Sequence, residues 1–271
     1  MTGLPLDRLT AAFARRAREG SRVLVPYITA GDPDIETTHQ LVLAAARAGA
    51  DIVELGVPFS DPSADGPVLQ RAAERALAGG AHLGKVLALA AAVSPSIPLV
   101  LFGYLNPFLQ YGFERLAKDA AAAGVSGLLV VDLPPEEAAS LLAALRPHGL
   151  ALVPLITPVT PPERIALASD NADAFAYYVS TTGVTGLTLA TADSGARVSE
   201  VRGMLKCPLV VGFGVRTPDD AQRLGAAADG VVVGSALVDL AYRTAPTERA
   251  AVVEAYLRSL RTAIDSSAAL P

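Results

Sequence analysis

Eight short apolar runs, each followed by a helical pattern or a helix-like turn, alternate along this chain from residue 22 onward. The runs fall at 22–28, 51–55, 98–102, 127–131, 151–156, 174–179, 208–211 and 230–233. Apart from Arg22, Asp51 and Glu54 the runs are continuously apolar rather than alternating, which calls for burial on both faces, as in parallel strands covered by helices. Helical patterns fall at 6–18, 35–48, 67–77, 83–93, 113–123, 136–145, 162–168, 198–205, 218–224 and 246–263. The first precedes any strand and is amphipathic, with Leu6, Leu9, Phe13 and Ala17 on one side. Eight such units in about 250 residues match a (β/α)8 barrel of the TIM type, here with an extra N-terminal helix. A doubly wound open sheet is the competing arrangement, but it rarely needs eight near-equal units. No Pro/Gly/Ser-rich linker divides the sequence, so a single barrel domain over residues 1–271 is expected.

Composition narrows the function classes. Hydrophobic residues make up 51% and charged residues 18%, ample for a large core. The mean hydropathy of +0.40 is high, yet no apolar run reaches the roughly eighteen residues of a spanning helix. The start, Met1-Thr2-Gly3-Leu4-Pro5, has no apolar core or cleavage site of a secretory signal. A single Cys207 forbids an internal disulfide and suits a reducing cytoplasm. His39, His82 and His148 lack ligand spacing, so a protein-built metal site is not expected. A net charge of -5 without a basic tract argues against nucleic acid.

Barrel enzymes carry their chemistry at the C-terminal ends of strands. There the sequence places Glu54, which closes the second apolar run, and Asp65, in the loop after it. A carboxylate ending an apolar strand sits where desolvation is expensive, so it suggests a functional group; a solvated Glu followed by Asp-Pro and Asp-Gly turns is the plainer reading. Tyr27 ends the first strand, Tyr104 follows the third, and Tyr177 lies within the sixth. Each is as readily a packing residue with its hydroxyl at the rim. Asp132, ending the fourth strand, is equally readable as a cap for the next helix. Tyr27, Phe59, Phe102, Leu129, Ile156 and Phe213 give the mouth an apolar, aromatic side.

Three glycine-bearing turns follow the last strands: Thr182-Gly183-Val184-Thr185-Gly186, Gly212-Phe213-Gly214 and Gly234-Ser235. Their backbone N–H groups and a helix N-terminus make an anion cradle without Arg or Lys. Phosphate sites after strands seven and eight recur in this fold. A phosphorylated tail on one side, an apolar slot on the other and two carboxylates between describe a flat hydrophobic phosphate ester. The residues themselves leave open which bond is made or broken.

The motifs resemble one family, the tryptophan synthase α subunits (indole-3-glycerol-phosphate lyases), over about residues 6–240. The similarity is carried by Val25-Pro26-Tyr27-Ile28-Thr29-Ala30-Gly31-Asp32-Pro33, the 54–70 segment, Gly103-Tyr104-Leu105-Asn106-Pro107 and Asp132-Leu133-Pro134. It continues through the Ser180 to Gly186 turn, Gly212-Phe213-Gly214-Val215 and Gly234-Ser235-Ala236. The resemblance implies Glu54 as catalytic acid/base and Asp65 as partner of the indole nitrogen. It also implies Tyr177 as an active-site tyrosine, with Gly186, Gly214, Gly234 and Ser235 at the phosphate. The implied reaction is retro-aldol cleavage of indole-3-glycerol phosphate to indole and glyceraldehyde 3-phosphate, with no cofactor in this chain. It implies an αββα heterotetramer with a pyridoxal-phosphate β subunit that receives the indole for L-tryptophan synthesis. In one place the sequence departs: the Arg expected just after Gly186 is replaced by Leu187-Thr188-Leu189. Other readings are a sugar-phosphate isomerase or epimerase barrel, a degenerate subunit that only activates a partner, and a free-standing indole-releasing lyase.

Overall fold

The computed structural model describes residues 3–179, 193–212 and 214–266. Its strands are β1 (Val23–Thr29), β2 (Val53–Gly56), β3 (Leu99–Gly103), β4 (Gly127–Val130), β5 (Ala151–Val153), β6 (Leu155–Ile156), β7 (Ala176–Val179), β8 (Leu209–Gly212) and β9 (Gly230–Val233). All pair in parallel, in the order β5-β4-β3-β2-β1-β9-β8-β7-β6. The two ends of that order, β5 and β6, are consecutive pieces of one extended stretch. The sheet therefore curls back on itself as a nearly closed (β/α)8 barrel. The expected fifth strand is split at Pro154, which has no N–H for a ladder, although its carbonyl accepts from the Tyr177 N–H at 2.9 Å.

The helices are α1 (Asp7–Arg18), α2 (Ile35–Arg47), α3 (Pro67–Ala78), α4 (Leu83–Val93), α5 (Leu105–Tyr111), α6 (Phe113–Ala122), α7 (Ala139–Leu145), α8 (Pro162–Asn171), α9 (Asp193–Met204), α10 (Pro218–Gly225), α11 (Ser235–Arg243) and α12 (Arg249–Ser266). Prolines open α3, α8 and α10, where a missing N–H is no loss. Asp34 caps α2 by accepting from the Thr37 N–H at 2.6 Å. No single helix among the described residues is long and apolar enough to cross a membrane.

Strand side chains alternate between two cores, which decides what faces the site. Leu24, Val53, Leu55, Leu101, Leu128 and Val211 point outward and pack beneath the helices. Val23, Val25, Tyr27, Val100, Leu129, Val153, Tyr177 and Val210 point into the barrel. The lower end of that interior is plugged by α1: Leu9 and Phe13 join the inner cluster, and the Phe13 ring lies 5.2 Å from that of Phe175. The plug is fastened by ion pairs, since Asp51 accepts from Arg15, from Arg16 at 2.8 Å and from Arg261 at 3.2 Å. With α1 across its floor, the barrel faces outward at the C-terminal ends of its strands.

Candidate active site

Glu54 lies on β2 in register with Tyr27 of β1 and Val100 of β3. It has the same parity as Ile52, a residue of the inner cluster, so its carboxylate points into the barrel. The residue is 0% exposed, and neither Oε1 nor Oε2 has a hydrogen-bond partner. An uncompensated buried carboxylate disfavours its own ionisation, and burial pushes the Glu54 carboxyl up to about 8. At neutral pH it is a proton donor waiting for an acceptor.

Asp65 is half-buried at the end of the loop that runs from β2 to α3. Burial raises its carboxyl to about 6, while a hydrogen bond from Tyr104 pulls the other way. The same Tyr104 hydroxyl accepts from the Ala64 N–H at 3.0 Å. Gln70, in the first turns of α3, donates to the Asp65 carbonyl at 2.9 Å. Phe59 packs on Tyr104 with ring centroids 5.4 Å apart. The carboxylate loop is thus held from both sides, by the residue after β3 and by its own following helix. Burial thus raises both carboxyls, Glu54 further than Asp65, to about 8 against about 6.

Three aromatics wall the interior around Glu54. Phe102 meets Tyr27 edge-on, with centroids 5.1 Å apart, and Tyr177 at 6.5 Å. Two strand-end glycines make room for them: a Cβ at Gly56 would overlap the Tyr27 hydroxyl, and one at Gly212 would overlap that of Tyr177. Burial raises both phenols, and the Glu54 charge adds to the rise in each. Both therefore stay protonated as hydrogen-bond donors. Leu129 completes this wall at 0% exposure.

At the end of β9, the strand beside β1, Gly234 precedes α11 and Ser235 is its first residue. No side chain caps that helix, so its first N–H groups are open to an anion. Gly214 stands exposed at φ 87, a conformation that favours glycine, with nothing within 4 Å of the position a Cβ would take.

Several expected site residues fall elsewhere. Ile156 packs in the outer cluster under the helices; strand alternation instead turns Leu155 toward the inner one. Asp132 does not cap the helix after it but accepts from the Leu105 N–H at 2.6 Å, closing the start of α5 across the sheet. Thr185, Gly186 and Phe213 lie outside the described residues. Among the described residues, no group of three or more His, Cys, Asp or Glu is placed to hold a metal ion.

Two carboxyls with raised pKa, an aromatic wall and an uncapped helix N-terminus at the C-terminal end of one barrel are the groups a (β/α)8 acid–base enzyme needs for a hydrophobic phosphate ester. The family model for the tryptophan synthase alpha chain matches residues 13–265. A tryptophan synthase alpha chain from Geobacter sp. (strain M21) is 54% identical over 236 residues, 86% of this chain and 88% of its own. That of Geobacter sulfurreducens is 48% identical over 96% of this chain and 99% of its own. The crystal structure of the alpha chain from Legionella pneumophila superposes with a TM-score of 0.88 at 38% identity, covering 96% and 97% of the two chains. The chain belongs to the tryptophan synthase alpha chain family, lyases that cleave indole-3-glycerol phosphate and release indole for the β subunit.

Proposed function

We propose that Glu54 moves both protons of the retro-aldol cleavage and that Asp65 stabilises the charge that develops between them. The supporting observation is the fully buried, unpartnered Glu54 carboxyl facing the barrel interior. Protonated Glu54 delivers its proton to indole C3, and the ring becomes cationic at its nitrogen. Ionised Asp65 accepts the hydrogen bond of that N–H, an interaction that strengthens as charge develops. The Glu54 carboxylate then removes the proton from the hydroxyl on the carbon attached to C3. The oxygen's electrons form the aldehyde, the carbon–carbon bond breaks, and its pair returns to the ring. Indole and glyceraldehyde 3-phosphate result, and Glu54 regains its proton. Tyr27, Phe102, Tyr104, Leu129 and Tyr177 hold the indole end, while the N–H groups at Gly214, Gly234 and Ser235 hold the phosphate.

The test is the pH dependence of kcat/KM for indole release. Activity rises as Asp65 ionises near 6 and falls as Glu54 loses its proton near 8. A profile flat from about pH 5 to 9 would remove both residues from these roles.

The reading extends to the setting of the enzyme. Residues 1–271 act as one barrel in the cytoplasm, with no cofactor of their own. Pyridoxal phosphate belongs to the β subunit, with which the chain assembles as an αββα heterotetramer. Support for an interface at the mouth comes from Leu109 of α5 and Val159 after β6, both exposed apolar side chains. Co-elution with the cognate β subunit and faster indole release in its presence are expected. Neither effect would appear if the protein is a free-standing lyase.

A further inference from the structure

Arg75 lies in the last turn of α3, outside the residues placed in the site, and makes a two-pronged polar contact there. Its guanidinium grips Asp32 with two bonds, Nε to Oδ1 at 2.7 Å and a terminal nitrogen to Oδ2 at 2.8 Å. Its other surface is stacked on the Tyr242 ring, with the guanidinium carbon 3.8 Å from the centroid. One side chain thereby joins three pieces of chain: α3, the turn that follows β1, and α11.

Each of those helices has its other end in the active site. Asp65 lies immediately before α3 and is tied to it through Gln70. The turn at Gly234 and Ser235 opens α11. From Pro67 to Arg75 is about 12 Å along α3, and from Ser235 to Tyr242 about 10 Å along α11. Helices of this length move as rigid rods, so a clamp between their far ends, added to the direct packing of α11 on α3, restricts how far their near ends can separate. α11 also packs directly on β1 and on α3, around a small cavity of about 20 Å³ lined by Tyr27, Thr29, Asp32, Leu237 and Tyr242. The clamp lies at the edge of that cavity, with Asp32 and Tyr242 both in its lining. Its geometry is demanding, since only a planar two-pronged cation can pair with a carboxylate and stack on a ring together.

We propose that Arg75 is a positioning residue that sets the distance between the carboxylate loop and the phosphate-binding end of α11. The proposal rests on the reading of Asp65 and the Gly234–Ser235 turn as opposite ends of the substrate site. A ligand that spans both ends feels the spacing, whereas a ligand occupying one end does not.

The experiment compares wild type, Arg75→Met, Arg75→Lys, Tyr242→Ala and Tyr242→Phe. For each, kcat/KM for indole-3-glycerol phosphate is set beside the affinities for indole alone and glyceraldehyde 3-phosphate alone. Arg75→Met is expected to lose on the order of tenfold in kcat/KM with both single-fragment affinities within about twofold of wild type. Arg75→Lys keeps the charge without the fork and falls between. Tyr242→Phe keeps the ring face and matches wild type. Wild-type kcat/KM in Arg75→Met, or fragment affinities that fall in step with it, would overturn the proposal. Should Arg75→Met not fold, Tyr242→Ala decides, because it leaves the ion pair intact at a half-exposed position. A loss of about threefold confined to the spanning substrate is expected there, and unchanged kcat/KM refutes the clamp. A wild type that binds neither fragment would overturn the site reading, and the clamp with it; a wild type that binds both, unaffected by Arg75→Met, would overturn the clamp alone.

Discussion

Replacing Glu54 with Gln should make this protein more stable, by an amount that depends on pH. The carboxyl is 0% exposed and has no partner, and its value rises from 4.5 in the unfolded chain to about 8 in the folded one. Between those values the folded protein retains a proton that the unfolded chain has released, so wild-type stability falls as pH rises through the window. Below it the penalty vanishes. Gln has nearly the same shape as the protonated acid and carries no titrating proton. The difference between Gln and Glu should therefore be near zero at pH 4 and grow by about 1.4 kcal/mol per pH unit. It reaches about 3 kcal/mol at pH 7 and levels off near 5 kcal/mol above pH 8. For a chain of this size, 3 kcal/mol is a rise of roughly 6–12 °C in Tm. Urea unfolding of both proteins at several pH values measures it as a shift in midpoint at constant slope. Parallel stability–pH curves would refute the reasoning, because they would mean that Glu54 is hydrated or paired. An unpartnered buried carboxyl that costs stability is a feature that active sites commonly carry.

The remaining predictions concern the rest of the site. Asp65→Asn should lower kcat on the order of a hundredfold with KM changed only a few-fold, because the lost interaction is made mainly in the transition state; steady-state kinetics showing equal losses in binding and turnover would assign Asp65 to loop folding. Tyr104→Phe removes a hydrogen bond that lowers the Asp65 carboxyl, so the acid limb of the rate profile should move above about 6; an unmoved limb would mean that this bond does not persist in the working enzyme. Gly214→Leu should weaken glyceraldehyde 3-phosphate binding while sparing free indole, since a side chain at φ 87 strains the turn and obstructs close backbone approach; titration calorimetry with each fragment reads this directly.

The barrel was legible because eight continuously apolar runs leave few other ways to bury both strand faces. What escaped the sequence depended on tertiary geometry. Residues 105–111 form α5, a helix too short to show an apolar period; Pro107 falls in its first turn, where the missing N–H is harmless. The uninterrupted apolar run 151–156 conceals a switch of partners at Pro154. Ile156 and Leu155 are equally apolar, and only the parity set by Val153 separates the inward residue from the outward one. The same parity, counted from Ile52, could have placed Glu54 inside the barrel, but it could not reveal that both oxygens lack partners. An amphipathic pattern that begins at Ser235 is easily hidden by the preceding glycine, so α11 reads in the sequence only as a turn. Arg75 carries no local signal at all, because its partners Asp32 and Tyr242 are distant in sequence.

Indole release by Glu54→Gln is the most direct test of the account. Under single-turnover conditions with indole-3-glycerol phosphate, the variant should fold, bind the phosphate ester with near wild-type affinity, and release indole at least about a thousandfold more slowly. Release at a rate near that of wild type would contradict the claim that this buried carboxyl carries the protons of the cleavage.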